Sequence, residues 1–213
     1  MARTIFDLYN LYRYIVRKQR GIYITIPEFN ANMDSGQMNA VAEWFEPYGT
    51  TQTLHDALRK IRVYYQFTSD AAGFVTFPSD YIHILGTPFT VTGSSVNEIA
   101  FVQESELPFA LKSQQRPVST SYPIAVDTAT GFSLYPQTVQ IGFFNYLKRP
   151  ATITLAVTQV GRVVTYDAAN SIQPEFSDIY FNHILAKALK YAGVSMDEKG
   201  ITEFADKYDQ ETQ

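Results

Sequence analysis

Cysteine is missing from this 213-residue chain. That excludes a disulfide framework, a Cys-ligated zinc or iron–sulfur centre and thiol catalysis. Charge is sparse as well: Asp, Glu, Lys and Arg make up 18% of the residues, below the roughly 25% of an average soluble domain. Apolar residues are 46% of the chain, too many for a disordered polymer. No apolar run reaches the ~18 residues of a membrane-spanning helix, and Met1-Ala-Arg-Thr-Ile-Phe-Asp-Leu8 lacks the apolar core of a signal peptide. A soluble protein made inside a cell, with no membrane partner, is therefore expected. The motifs that cradle phosphates or dinucleotides, build serine nucleophiles or ligate zinc and calcium are absent too. No catalytic residue, metal or cofactor is expected, and no enzyme.

Aromatic rings are what the chain has in excess. Fifteen Phe, fifteen Tyr and one Trp make up 15% of it. Rings at this density fill cores, and tyrosine in particular marks interfaces. The net charge of −4 is unevenly spread. Arg3, Arg13, Arg17, Lys18 and Arg20 face only Asp7 in the first 20 residues, whereas Asp197, Glu198, Glu203, Asp206, Asp209 and Glu211 outweigh Lys199 and Lys207 at the end. Ends of opposite sign suit head-to-tail packing of identical subunits, and they suit two solvated helices equally well.

The pattern predicts an α+β protein, with helical N- and C-terminal segments around a central antiparallel β-domain. Ile5, Leu8, Tyr12, Ile15 and Val16 fall at helical spacing over residues 4–19, with Arg13, Arg17 and Arg20 on the opposite face. Ile22 to Pro27 reads as a short strand, and Pro27-Glu28 opens a second helix that Pro47 ends. A third short helix is expected after Thr53 as N-cap, with Leu54, Leu58 and Ile61 as its stripe. From residue 63 the period changes to two, and only ten charged residues lie between Val63 and Gly161. Strands are expected at 63–67, 81–85, 89–92, 98–102, 133–135, 139–147 and 153–157, with a helical interruption at 104–112. Asp127 to Gly131 reads as a hairpin loop. A helix from Pro174 to Ala192 carries an apolar face too wide for one partner, and Ser195 is expected to cap a last helix through Glu198. The expected divisions are 1–62, 63–170 and 171–213, the last forming one compact unit with the first.

His55, His83 and His183 stand apart in sequence with no metal-ligand spacing, so packed or surface roles are expected. Asp70 and Asp80 could form a carboxylate pair across a hairpin, but turn capping explains both more simply. The arginines of the first helix offer a phosphate-sized stripe on a chain with too few bases overall for a nucleic-acid domain. The residues expected at an interface are Arg13, Arg17, Arg20, Phe143, Phe144, Tyr146, Lys148, Arg149, Phe176, Tyr180, Phe181, Ile184, Phe204 and Tyr208. Lys148-Arg149-Pro150 reads as a strand end whose bases guard an edge or meet a neighbour's acids.

Two stretches resemble a known family. Ser79-Asp-Tyr-Ile-His-Ile-Leu85 after Phe77-Pro78, and Gly142-Phe-Phe-Asn-Tyr-Leu-Lys-Arg-Pro150 before Thr152-Ile-Thr-Leu155, resemble strand elements of head-to-tail connector proteins of tailed bacteriophages. The order of parts after them, a Pro174-Glu-Phe helix, a Gly turn and an acidic helix ending in Lys207-Tyr-Asp-Gln-Glu211, resembles the C-terminal helix pair of such adaptors. Glu104 to Pro123, with Phe109, Gln115-Arg-Pro117 and Tyr122-Pro123, is most similar to structural proteins of crAss-like podoviruses. The resemblance covers residues 74–211. It implies a ring of copies, twelve-fold in the family, that docks to the portal protein and to further ring or tail proteins near the packaged DNA. It places the chain at the head-to-tail junction of a virion, assembled in the host cytoplasm, and it carries over no catalytic residue. A carbohydrate- or ligand-binding β-module, and a hydrolase using Asp70 and Asp80, are the alternative readings.

Overall fold

The computed structural model describes residues 3–45, 56–92, 95–160 and 163–211. It is an α+β protein with helices at both ends around a central β region, and its contacts divide into two compact units, 1–61 with 150–213, and 62–149.

In the first unit, α1 (Ile5–Arg20) buries Ile5, Leu8, Tyr9, Leu11, Tyr12, Ile15 and Val16 along one stripe. Thr4 caps it: its Oγ1 accepts the Asp7 N–H at 3.2 Å while the Asp7 carboxylate accepts the Thr4 N–H at 2.8 Å. Such a box stabilises a helix start by about 1 kcal/mol. Gly21 closes α1 at φ 67°, a left-handed turn that a Cβ would strain.

The strand expected at 22–27 does not form. Thr25 and Glu28 make a second capping box, the Thr25 N–H donating to Glu28 Oε2 at 2.8 Å, and α2 (Ile26–Phe45) begins at once. A lone run of β-branched residues has no strand to pair with, whereas the cap satisfies a helix end directly. Pro47 and Thr53 lie outside the described residues, and a helical turn covers 56–61.

α3 (Leu107–Leu111) belongs to the second unit, and two helices remain in the first, α4 (Phe181–Tyr191) and α5 (Glu198–Glu211). α2 lies on α4 with almost no gap: a Cβ on Gly36 would come within 2.8 Å of the Ala188 backbone nitrogen. The helix expected from Pro174 starts later, at Phe181 after a 3-10 turn at Asp178–Tyr180. Phe176 lies instead in a bend before that turn, buried edge-on to Trp44 with centroids 5.3 Å apart. Gly193 at φ 74° ends α4, and the Val194 N–H returns to the Leu189 carbonyl at 3.0 Å. The cap of α5 is Asp197, whose Oδ1 accepts the Gly200 N–H at 2.8 Å, rather than Ser195.

The β-domain was expected to run to residue 170, but residues 150–170 pack with the helices. Asn30 on α2 brackets Leu155, its Oδ1 accepting the Leu155 N–H at 2.9 Å and its Nδ2 donating to the Leu155 carbonyl at 3.4 Å. Ile153 and Leu155 are buried, and of the expected strand at 153–157 there remain a bridge, Thr154 to Ile172, and Val157 at the start of a later strand.

The second unit is two four-stranded sheets. One runs in the order β1 (Arg62–Thr68), β8 (Ile141–Lys148), β3 (Tyr81–Thr92), β4 (Ser95–Glu98). The other runs β2 (Phe74–Thr76), β7 (Gly131–Tyr135), β6 (Ile124–Thr128), β5 (Ala100–Phe101). All pairs are antiparallel except β5 with β6. Phe67, Phe144 and Tyr146 from the first sheet interlock with Val75, Ala125, Phe132 and Leu134 from the second, as inner faces of a sandwich do. Gly86, at φ 72°, lets β3 continue through what the sequence reads as two strands, with a register shift between Leu85 and Phe89. Asp127 and Thr128 lie in strand β6, so the expected hairpin is tighter than its loop suggested. The remaining pair, β9 (Val157–Val160) and β10 (Val163–Tyr166), is a hairpin of the first unit.

Candidate interaction surfaces

Successive side chains of a strand point to opposite faces, and on β8 this sorts the expected interface residues. Gly142, Phe144 and Tyr146 point inward, while Ile141, Phe143 and Asn145 point outward. Phe144 and Tyr146 are 1% and 4% exposed; they are core and cannot meet a partner. The Tyr146 hydroxyl donates to Asp80 Oδ1 at 2.9 Å. Burial, then the carboxylate beside it, pushes its pKa up to about 12.

Phe143 is different. It stacks on Tyr64 of β1, with centroids 5.4 Å apart and planes 12° apart, and on Phe89 of β3 at 5.5 Å and 28°. Tyr64 in this three-ring ladder is 59% exposed, and around it Val96 is 65% exposed, with Val91 and Ile141 also open to solvent. Register places them on one face: Gln66 lies opposite Phe143, Phe89 opposite both Phe143 and Glu98, and Val91 opposite Val96. Charge enters only at the margins, at Arg62 and Glu98. The central ring, Phe143, is stacked against a ring from each flanking strand. A sugar-stacking platform needs open ring faces, so this surface suits apolar protein contact better.

Lys148 and Arg149 close β8, which runs between β1 and β3 inside its sheet. The edge-guard role is therefore overturned, because no sheet edge lies there. The Arg149 N–H donates to the Asp80 carbonyl at 2.6 Å. Asp70 Oδ1 accepts the Ala72 and Phe74 N–H groups at 2.9 and 2.8 Å. Asp70 is a turn cap, and Asp80 is the acceptor of a tyrosine hydroxyl.

On the first unit, Arg13 and Arg17 are exposed on α1, lying over Tyr9 at 5.5 Å and Tyr23 at 5.6 Å. Arg20 instead folds back on its own chain, donating to the Gly193 carbonyl at 3.3 Å, where a cation suits the end of a helix. Phe176, Phe181 and Ile184 are 1%, 3% and 0% exposed, core residues rather than interface. Tyr180 packs edge-on to Trp44 and Phe204 edge-on to Tyr14; the side chain of Tyr208 lies outside the described residues. His83 is exposed on β3, and partial burial lowers its pKa. His183 packs against Trp44 and faces the Glu43 carboxylate at 3.4 Å, with Lys187 on the same carboxylate. His55 lies outside the described residues.

The sequence reading missed Tyr64, Val91, Val96 and Ile141. The period-two pattern of β1 and β8 held the signal: once Phe144 is inward, Phe143, Ile141 and their cross-strand neighbours must be outward. Among the described residues, no group of three His, Asp or Glu side chains could hold a metal ion, and no helix is long and apolar enough to cross a membrane. No protein-family model matches the chain, and no curated protein is significantly similar to it.

Proposed function

We propose that this chain is a non-enzymatic virion structural subunit, a head-to-tail connector that forms a ring of copies and docks to the portal of a tailed phage. The resemblance of residues 74–211 to phage connectors suggests the role. The observation that carries it is the uncharged outer face of the β1–β8–β3–β4 sheet, with Tyr64, Val91, Val96 and Ile141 in water and Phe143 at its centre. An apolar face of this kind, rimmed by Arg62 and Glu98, supports a protein interface. Its site would be the head-to-tail junction, with further ring or tail proteins beyond it.

The test is to mix the purified protein with the portal encoded beside it and image the product by electron microscopy. Rings at one face of the portal support this reading. A protein that stays monomeric beside the portal, the other ring proteins and the tail contradicts it.

A further inference from the structure

An open groove of about 310 Å³ lies within the sandwich unit. One wall is the Phe77–Tyr81 ring pair, stacked at 4.0 Å with planes 5° apart; Phe101, 41% exposed, and Val126 also line it. Two carboxylates enter this apolar setting, Glu104 and Asp127, and no basic residue lines the groove among the described residues. Local structure puts them there. Asp127 follows the buried run Ile124-Ala-Val126 on β6, and Glu104 opens the 3-10 turn Glu104–Glu106 just after β5. Acids beside aromatic walls suit a cation on an apolar stem: the stem covers the rings, the head meets the carboxylates, and a guanidinium does both at once.

The same chain carries such cations elsewhere. Arg13 and Arg17 stand one turn apart on the exposed face of α1, each over a tyrosine ring, and the one acid of that helix, Asp7, is committed to the cap. Among the described residues, no ion pair joins Arg13 or Arg17 to an acid, or Glu104 or Asp127 to a base. Two arginines and two acids, complementary in charge and on different surfaces, make a donor patch and an acceptor groove.

We infer that the Glu104–Asp127 groove of one copy receives the Arg13–Arg17 face of α1 from a second copy. This rests on the ring-subunit reading and supplies its lateral contact. Because the two surfaces differ, the contact is heterologous, and repeating it generates a closed ring or an open helix. The apolar outer face of the sheet then stays available to other proteins.

Charge reversal tests it on the portal-bound protein. Arg13→Glu with Arg17→Glu, or Glu104→Arg with Asp127→Arg, is expected to cut ring occupancy at least about tenfold, with unchanged circular dichroism. All four changes in one chain should restore it. A second measurement does not depend on the fourfold variant folding. The chain has no cysteine, so an Arg17→Cys and Glu104→Cys double variant treated with a short bismaleimide should give a ladder of linked copies, and each single variant should not. Wild-type-level rings from either reversed pair, or no ladder where wild-type rings form, would overturn this contact while leaving the connector reading intact. No rings from the wild-type protein would overturn both.

Discussion

Tyr64 and Phe143 are diagonal neighbours across the β1–β8 pair, and their rings lie nearly parallel, 5.4 Å apart, on the outer face of the sheet. The next residue, Phe144, is 1% exposed on the inner face. Two phenylalanines adjacent in sequence thus serve different ends, one holding the sandwich together and one facing out from it. Cross-strand ring pairs contribute only about 0.5–1.5 kcal/mol beyond their burial, whereas a buried ring is worth several times that.

Replacing the two should separate these roles. Phe144→Ala is expected to cost about 3–5 kcal/mol in urea unfolding. Phe143→Ala is expected to cost about 1 kcal/mol and yet to abolish assembly with partner proteins. Equal losses of stability would place Phe143 in the core.

Gly36 offers a packing test. Alanine favours a helix over glycine by about 1 kcal/mol, but here its Cβ would meet Ala188 N at 2.8 Å and Ile184 O at 2.9 Å, both backbone. Neither can move without α4. Gly36→Ala should therefore destabilise by about 1–3 kcal/mol, seen as a lower melting temperature; a higher one would mean that α2 and α4 are not in such close contact.

The legible parts of the fold were those set by local chemistry. The Ile5, Leu8, Tyr12, Ile15 and Val16 stripe of α1, the helical interruption at 104–112 and the β6–β7 hairpin each depend on residues within a few positions of one another, and all were readable in sequence. Failures came where a distant partner decided. Ile22 to Ile26 has strand composition but no strand beside it, and residues 150–170 have strand-like runs that Asn30 and the helices claim. Phe176 looked helical by spacing, but it lies in a bend with its ring packed on Trp44. For the candidate site, treating Phe143, Phe144 and Tyr146 as one surface ignored the alternation that any strand imposes. Glu104 and Asp127 lie far apart in sequence and meet only through folding.

Tyr146 predicts behaviour at alkaline pH. Its pKa rises from 10.0 to about 12 in the folded protein, through burial first and then the bond to Asp80. The unfolded chain loses this proton near pH 10, while the folded chain keeps it to about pH 12. The contribution to stability is complete below the lower value and disappears as pH rises through that window. Tyr146→Phe should reduce the slope of stability against pH there. Tyr12 and Tyr81 are also raised, so a smaller slope should remain; an unchanged slope would contradict the assignment.

The ends of the second unit predict its independence. Arg62 lies opposite Leu147 across the β1–β8 pair, so the chain enters and leaves this unit on adjacent strands, and the unit carries its own core around Phe67, Phe132 and Phe144. A fragment of residues 62–149 should fold, with a cooperative thermal transition and a β-type circular dichroism spectrum. A spectrum of unfolded chain would show that the core needs the helical segments.

The central claim is assembly on a portal, and the mass of the product measures it most directly. Native mass spectrometry of the portal before and after incubation with this 24.1 kDa chain should show one dominant product, heavier by a fixed whole number of copies matched to the portal's symmetry. A portal whose mass is unchanged, or that gains a broad and unsaturated distribution of copies, would contradict the account.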